Sequence, residues 1–299
     1  MIKNILFLLI LFNIGFSQTT LYGLDGWYHI STIATAGGAG TVPSSDSDRI
    51  NPAGIAKLPK QIQFSIIKYP TSINAQSAMF VKELNNSNIG IGLRHLSYGN
   101  FISTNEDGVE DGTYSAGDTW LSAAWARNNK NINWGITGGI FLSSLESYNA
   151  AAIVFSTGAI YNYSKYDMQL GISLSNFGMF VTRYTEQKEK LPTKIILSAN
   201  KGLAHLPLDV NVDIGFNLNN ENTYWRFGST FALPNNLQLT FGVNANNISQ
   251  RTDNNLTSKI FGSSGVGITY TYKQYSIEIG GYFYGTGGWI YGTGFNIKL

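Results

Sequence analysis

From about Gln61 to Leu299 the chain repeats one pattern. Roughly ten residues alternate apolar with small or polar side chains, stop at a turn and begin again. Leu208, Val210, Val212, Ile214, Phe216 and Leu218 fall on one face, and Asp209, Asn211, Asp213, Gly215 and Asn217 on the other. Leu237, Leu239, Phe241, Val243 and Ala245 oppose Gln238, Thr240, Gly242, Asn244 and Asn246 in the same way. A period of two is that of a strand with one apolar and one wet face. Segments of about 9–11 residues are also the length at which a tilted strand crosses a bilayer. The pattern therefore predicts an all-β, transmembrane antiparallel barrel.

The composition narrows this further. Charged residues make up 13% of the chain, against roughly 25% in soluble domains. The 17 Tyr, 17 Phe, 6 Trp and 33 Gly suit a wall that faces lipid, with aromatic residues at both interfaces and small residues where the wall is crowded. With no cysteine there is neither a disulfide scaffold nor a thiolate metal site, and a net charge of +2 gives no case for nucleic acid. At the start, Lys3, the apolar run Ile5–Phe16 and the small residues Gly15 and Ser17 read as a secretory signal over 1–17, cleaved before Gln18.

Alternation places strands near 62–68, 74–83, 88–97, 118–128, 131–142, 152–163, 167–176, 193–203, 208–218, 223–232, 236–246, 260–272, 275–284 and 289–298. That is about 14 strands, an even number, as single-chain bacterial barrels have. Connections after even-numbered strands are short, such as Asn129–Lys130 and Lys273–Gln274. Several after odd-numbered strands are long: Tyr98–Gly117, Phe177–Pro192 and Asn247–Lys259. This alternation of short periplasmic turns with longer outer loops puts both termini on the periplasmic side. Trp120, Trp125, Trp134, Tyr161, Tyr163, Tyr224, Trp225, Tyr270, Tyr272, Trp289 and Tyr291 lie near expected strand ends and are read as an aromatic girdle.

Residues 18–60 lack sustained alternation and are expected to fold into the bore as a plug; a disordered leader is the alternative, against which the low charge of Ile50–Pro59 argues. The segment carries Gly37-Gly38-Ala39, then Asn51-Pro52-Ala53-Gly54-Ile55-Ala56. These residues resemble the N-terminal hatch motif of the FadL-like superfamily, whose members are barrels of fourteen strands. Within it, the chain is more similar to the PorV/PorQ family associated with type IX secretion. Tyr98–Phe101 with Gly112–Asp118, Leu170–Gly178, and Leu191-Pro192 with Lys201–Leu208 carry the likeness, the last two toward PorQ. The resemblance implies an outer-membrane protein surrounded by lipid, partnered by other type IX components or secreted cargo. Its alternative is a FadL-like channel for long-chain fatty acids or other hydrophobic ligands.

Chemistry is sparse. His29, His95 and His205 are scattered and do not have metal-site spacing; His95 with Ser97 is the one pairing on a shared face, and a non-enzymatic protein without cofactor or metal is expected. Glu106, Asp107, Glu110, Asp111 and Asp118 read as an acidic outer loop and its edge. Asp209, Asn211, Asp213, Asn217, Gln238, Asn244 and Asn246 are expected to line the lumen, packed against the plug or along a channel. A soluble periplasmic sandwich remains the third possibility; such a protein would not extract with outer membranes.

Overall fold

The computed structural model describes residues 21–186, 189–219, 222–245, 261–284 and 288–299; the expected signal segment and Asn246 lie outside them. The alternating sequence forms strands β1 (Gln61–Lys68), β2 (Asn74–Leu84), β3 (Ser87–Thr104), β4 (Glu110–Asn129), β5 (Ile132–Leu145), β6 (Tyr148–Tyr163) and β7 (Met168–Thr182). These are followed by β8 (Lys194–Gly202), β9 (Leu208–Asn217), β10 (Thr223–Leu233), β11 (Leu237–Asn244), β12 (Ser264–Tyr272), β13 (Tyr275–Phe283) and β14 (Trp289–Lys298). Each pairs antiparallel with its sequence neighbours, and β1 pairs with β14 from Gln61↔Lys298 to Lys68↔Tyr291, closing a barrel of the expected fourteen strands. Closure removes both sheet edges, which a wall surrounded by hydrocarbon requires. Among the described residues no helix is long and apolar enough to cross a membrane.

The two faces of the wall follow the period of two. Phe64, Ile66, Ile91, Leu93, Leu121, Ile136, Ile140, Ile172 and Ile279 are exposed outward. Their strand neighbours Ser65, Arg94, Ser122, Thr137 and Ser173 are buried. An apolar exterior around a polar interior inverts a soluble protein and matches a lipid-facing barrel.

The expected girdle needs one correction. Trp134, Tyr161, Tyr163, Tyr270 and Tyr272 are exposed outward, and Trp125 packs edge-on against Trp134 with ring centroids 4.7 Å apart. Trp120 instead is 1% exposed and faces the bore, and Tyr224 lies inward with its ring 4.2 Å from the Arg226 guanidinium carbon. Residues five apart or adjacent on a strand point to opposite faces, so Trp120 and Trp125, or Tyr224 and Trp225, cannot share one.

The first expected long loop is largely strand, and the second is strand over its first six residues, Phe177–Thr182. β3 and β4 stay paired to Thr104↔Glu110 through a register shift at Ser97/Gly99, and β7 runs on to Thr182 after a bulge opposite Ser156, where Asn176 takes a φ of 57°. The polar, Gly-rich composition of these stretches concealed extended pairing. β3 to β7 measure 18, 20, 14, 16 and 15 residues, against about 10 needed to span. They project beyond the rest of the wall at the end away from Gln61 and Leu299. At the other end, Leu299 N–H donates to Lys60 C=O at 2.9 Å, so both ends of the barrel sequence meet there beside the short turns.

Residues Leu21–Lys60 lie within the ring of strands. They form 3-10 turns at Tyr22–Leu24 and Pro52–Lys57 and short helices at Ile30–Ala34 and Ser47–Ile50. Their partners come from all round the wall: Asp118 on β4, Ser77 on β2, Asn88 on β3, Ser173 on β7 and Asp213 on β9. Such a set can be reached only from inside a closed barrel.

Candidate functional site

The bore is built from three side-chain groups that join the N-terminal segment to the wall. The largest is ionic. Arg94 on β3 points inward and places Nη2 2.5 Å from Asp48 Oδ1, Nη1 2.9 Å from Asp48 Oδ2 and Nε 3.4 Å from Asp46 Oδ1. Ser122 Oγ adds a bond to Asp48 Oδ2 at 2.7 Å, and the guanidinium carbon sits 5.2 Å from the Trp120 ring. Asp46 also holds Arg49, whose Nη2 is 3.0 Å away and whose Nη1 donates to Leu24 C=O at 2.9 Å. Two carboxylates and two guanidiniums thus balance in a water-excluded setting where any one alone would be costly. Burial by itself would raise the Asp46 carboxyl, but Arg49 foremost among its cationic neighbours holds it well below the usual range. Burial also keeps His29 neutral, at about 4; its Nδ1 lies 3.3 Å from Ser65 Oγ.

The second group contains the expected hatch residues. Gly37 has φ 104°, a left-handed conformation that favours glycine, and its carbonyl accepts from Arg226 Nη1 at 2.5 Å. A Cβ on Gly38 would overlap Asp213 Oδ2, while Gly40 N–H donates to Asp213 Oδ1 at 3.1 Å. Ala39 borders a cavity described below. Asn51 caps the 3-10 helix, its Oδ1 accepting from Ala53 N–H at 3.2 Å, with Pro52 at the first helical position. That turn presses on the wall so closely that a Cβ on Gly158 would overlap Asn51 Oδ1.

The third group surrounds Asp118, which turns into the bore and is not part of the acidic loop edge. It accepts from Tyr98 OH at 2.7 Å, Gly23 N–H at 2.9 Å and Ser143 Oγ; Tyr184 OH donates to that Ser143 oxygen at 2.6 Å. Glu106, Asp107, Glu110 and Asp111 are exposed at the β3–β4 tip, where Asn105 Oδ1 accepts from Asp107 and Val109 N–H.

Two spaces adjoin these groups. An apolar vestibule of about 610 Å³ opens at the long-strand end above Asp118, walled by Tyr22, Ile73, Tyr98, Phe101, Leu145 and Tyr184. A smaller polar cavity of about 210 Å³ lies beside the helix Ile30–Ala34 toward the short-turn end, with Gln63, Gln238, Thr240, Glu278 and Asn296 on its wall.

Of the expected lumen residues, Asn211, Asp213 and Asn244 are buried inside. Gln238 borders the polar cavity. Asp209 shares the face of Asn211 but is exposed at the short-turn rim, and half-buried Asn217 accepts from Asn219 N–H at 3.0 Å at the other end of β9. His95 is exposed on the outward face, with Nδ1 2.9 Å from Thr119 Oγ1, and His205 is exposed in a turn. Sequence reasoning passed over Arg94, Asp46 and Asp48. Their signal is a single arginine among Gly90, Gly92 and Leu96 on one face of a charge-poor strand, and two aspartates beside Arg49 in the short polar run Ser44–Arg49.

No protein-family model and no curated protein matches the chain. Solved structures do. The toluene transporter TodX of Pseudomonas putida aligns over 91% of this chain and 96% of its own at 12% identity, with a TM-score of 0.59. A TodX monoaromatic hydrocarbon channel mutant gives 0.58 at 13% identity over 91% and 97%. A Pseudomonas aeruginosa FadL homologue gives 0.54 at 10% identity over 91% and 98%. The likeness is one of fold: this chain's closed fourteen-strand antiparallel barrel aligns over nearly the whole length of these TodX and FadL-homologue structures.

Proposed function

We propose that this is a non-enzymatic outer-membrane barrel of the PorV/PorQ type, serving type IX secretion and the surface attachment of its cargo, with residues 21–60 acting as a fixed plug. One observation carries the reading. The residues of the hatch-like motif, Gly37-Gly38-Ala39 and Asn51-Pro52-Ala53, lie where the N-terminal segment is fastened to the wall, beside the buried Arg94–Asp48–Asp46–Arg49 network. A bore tied shut by paired charges suits a protein that offers its long-strand rim to partners better than one that passes solute continuously. Deleting the gene should block surface display of proteins bearing type IX signals. Normal display, together with lost uptake of a hydrophobic nutrient, would overturn this reading and favour the second.

The second reading is a FadL-like channel for hydrophobic molecules, favoured by the apolar vestibule of about 610 Å³ and by the likeness to a toluene transporter. On either reading the long-strand end faces outward and the termini face the periplasm.

A further inference from the structure

We infer that the vestibule at the long-strand end selects its occupant by charge, admitting small apolar molecules with an uncharged or cationic head group and rejecting anionic ones. The inference deepens the channel reading and rests on it. The walls supply apolar and aromatic surface, from Ile73, Phe101 and Leu145 with the rings of Tyr22, Tyr98 and Tyr184, for a hydrocarbon or aromatic body. At the floor, Asp118 carries the only charge among the described residues that line the space.

The bonding around that carboxylate fixes its character. Tyr98 OH, Ser143 Oγ and the Gly23 N–H all donate to it, so it is held in place beneath the space and acts on an occupant through its charge rather than by contact. No described arginine or lysine lies within salt-bridge distance of it, unlike Asp46 and Asp48. A carboxylate or sulfonate entering the vestibule would meet a like charge in a low-dielectric wall with no cation to receive it. An ammonium or a hydroxyl would meet no such repulsion. The far end of the bore also holds a carboxyl group and, among the described residues lining its polar cavity, no cation: that cavity of about 210 Å³ is lined by Glu278, whose Oε2 accepts from Gln63 Nε2 at 3.3 Å.

Benzylamine, benzyl alcohol and benzoate share one ring and differ in head-group charge, which makes them suitable probes. Their affinities for the full-length protein in detergent would be measured by saturation-transfer NMR at pH 8. Benzylamine and benzyl alcohol should bind and benzoate should bind at least about tenfold more weakly, the factor a like charge within roughly 10 Å imposes at an effective dielectric of about 20. Ala116→Trp, which fills the vestibule, should abolish binding of all three and so locate the site. Asp118→Asn should narrow the gap between benzoate and benzyl alcohol. Should that variant fail to fold, Ser144→Lys places a cation at the exposed rim of the same space and should draw benzoate in. Benzoate binding wild type as tightly as benzyl alcohol would overturn the charge selection alone. Binding of none of the three, or binding that survives Ala116→Trp, would overturn the vestibule as a ligand site and the inference with it.

Discussion

The two sides of the bore hold the same N-terminal segment by different physics. Toward β3 and β4, the segment is held by charge: Arg94, Asp48, Asp46 and Arg49 form a balanced set, supported by Ser122 and Trp120. Toward β11–β14, the helix Ile30–Ala34 is held by shape. Glycines on the wall let its backbone approach until a Cβ on Gly265 would overlap the Ile33 carbonyl, and Ile30, Ile33, Tyr282 and Ile290 make an apolar cluster with Trp27. The charged side leaves little slack, because an unpaired ion there has no water to turn to. The apolar side tolerates empty space, and the polar cavity lies there. One side is a latch, and the other is a seat.

The largest expected effect breaks the latch. Arg94→Met leaves Asp46 and Asp48 buried with only Arg49 to offset them, which typically costs about 3–5 kcal/mol. Residues 21–60 should then become open to protease in the purified barrel, while the heat-modifiable migration of the strands persists. Protection equal to wild type would show that the seat alone holds the segment.

Acid should weaken the same junction by a smaller amount. His29 is docked neutral, at about 4 against an ordinary 6.5, chiefly because it is buried. A released segment takes up a proton between about 6.5 and about 4 that the docked one refuses, so docking weakens as pH falls through that window and recovers above it, by on the order of 3 kcal/mol in all. Asp46, held well below the usual carboxylate range when docked, adds slope of the same sign only at the acid edge of that window, where the released carboxyl begins to take up its proton. Protease accessibility measured from pH 7 to pH 4.5 should rise in wild type and stay flat in His29→Gln; a parallel rise in both would assign the dependence elsewhere.

The smallest expected effect tests the seat. Gly265→Ala inserts one methyl against the Ile33 carbonyl, and overpacking of this kind costs about 1–3 kcal/mol. The melting temperature of the folded barrel should fall while the Arg94 network keeps residues 21–60 protected. Loss of protection at native temperature would mean that seat and latch act as one unit.

The wall was legible because a strand's period of two is a local property: Leu208 to Asn217 announce their two faces without reference to any other part of the chain. The polar hairpin Tyr98–Gly117 was less so, since Gly, Ser and Thr serve turns and projecting strands alike, and pairing with a neighbour decided between them. Trp120 departs from the girdle because the same period of two turns it inward, opposite to Leu121 on its strand. The Gly37-Gly38-Ala39 and Asn51-Pro52-Ala53 motifs stood out as sequence, but their reason did not. Gly38 must make room for Asp213, far along the chain on β9, and Gly158 for Asn51.

What the sequence determined by itself is therefore the wall: fourteen alternating strands with apolar residues outward and short turns on one end, because pleat and turn chemistry act over a few residues. What only the tertiary structure decided is the content of the bore. Arg94 belongs with Asp48 and Asp46, Asp118 with Tyr98 and Gly23, and Glu278 with a cavity, because closing the barrel brings strands from opposite ends of the chain around one axis and leaves their inward polar groups to find partners there.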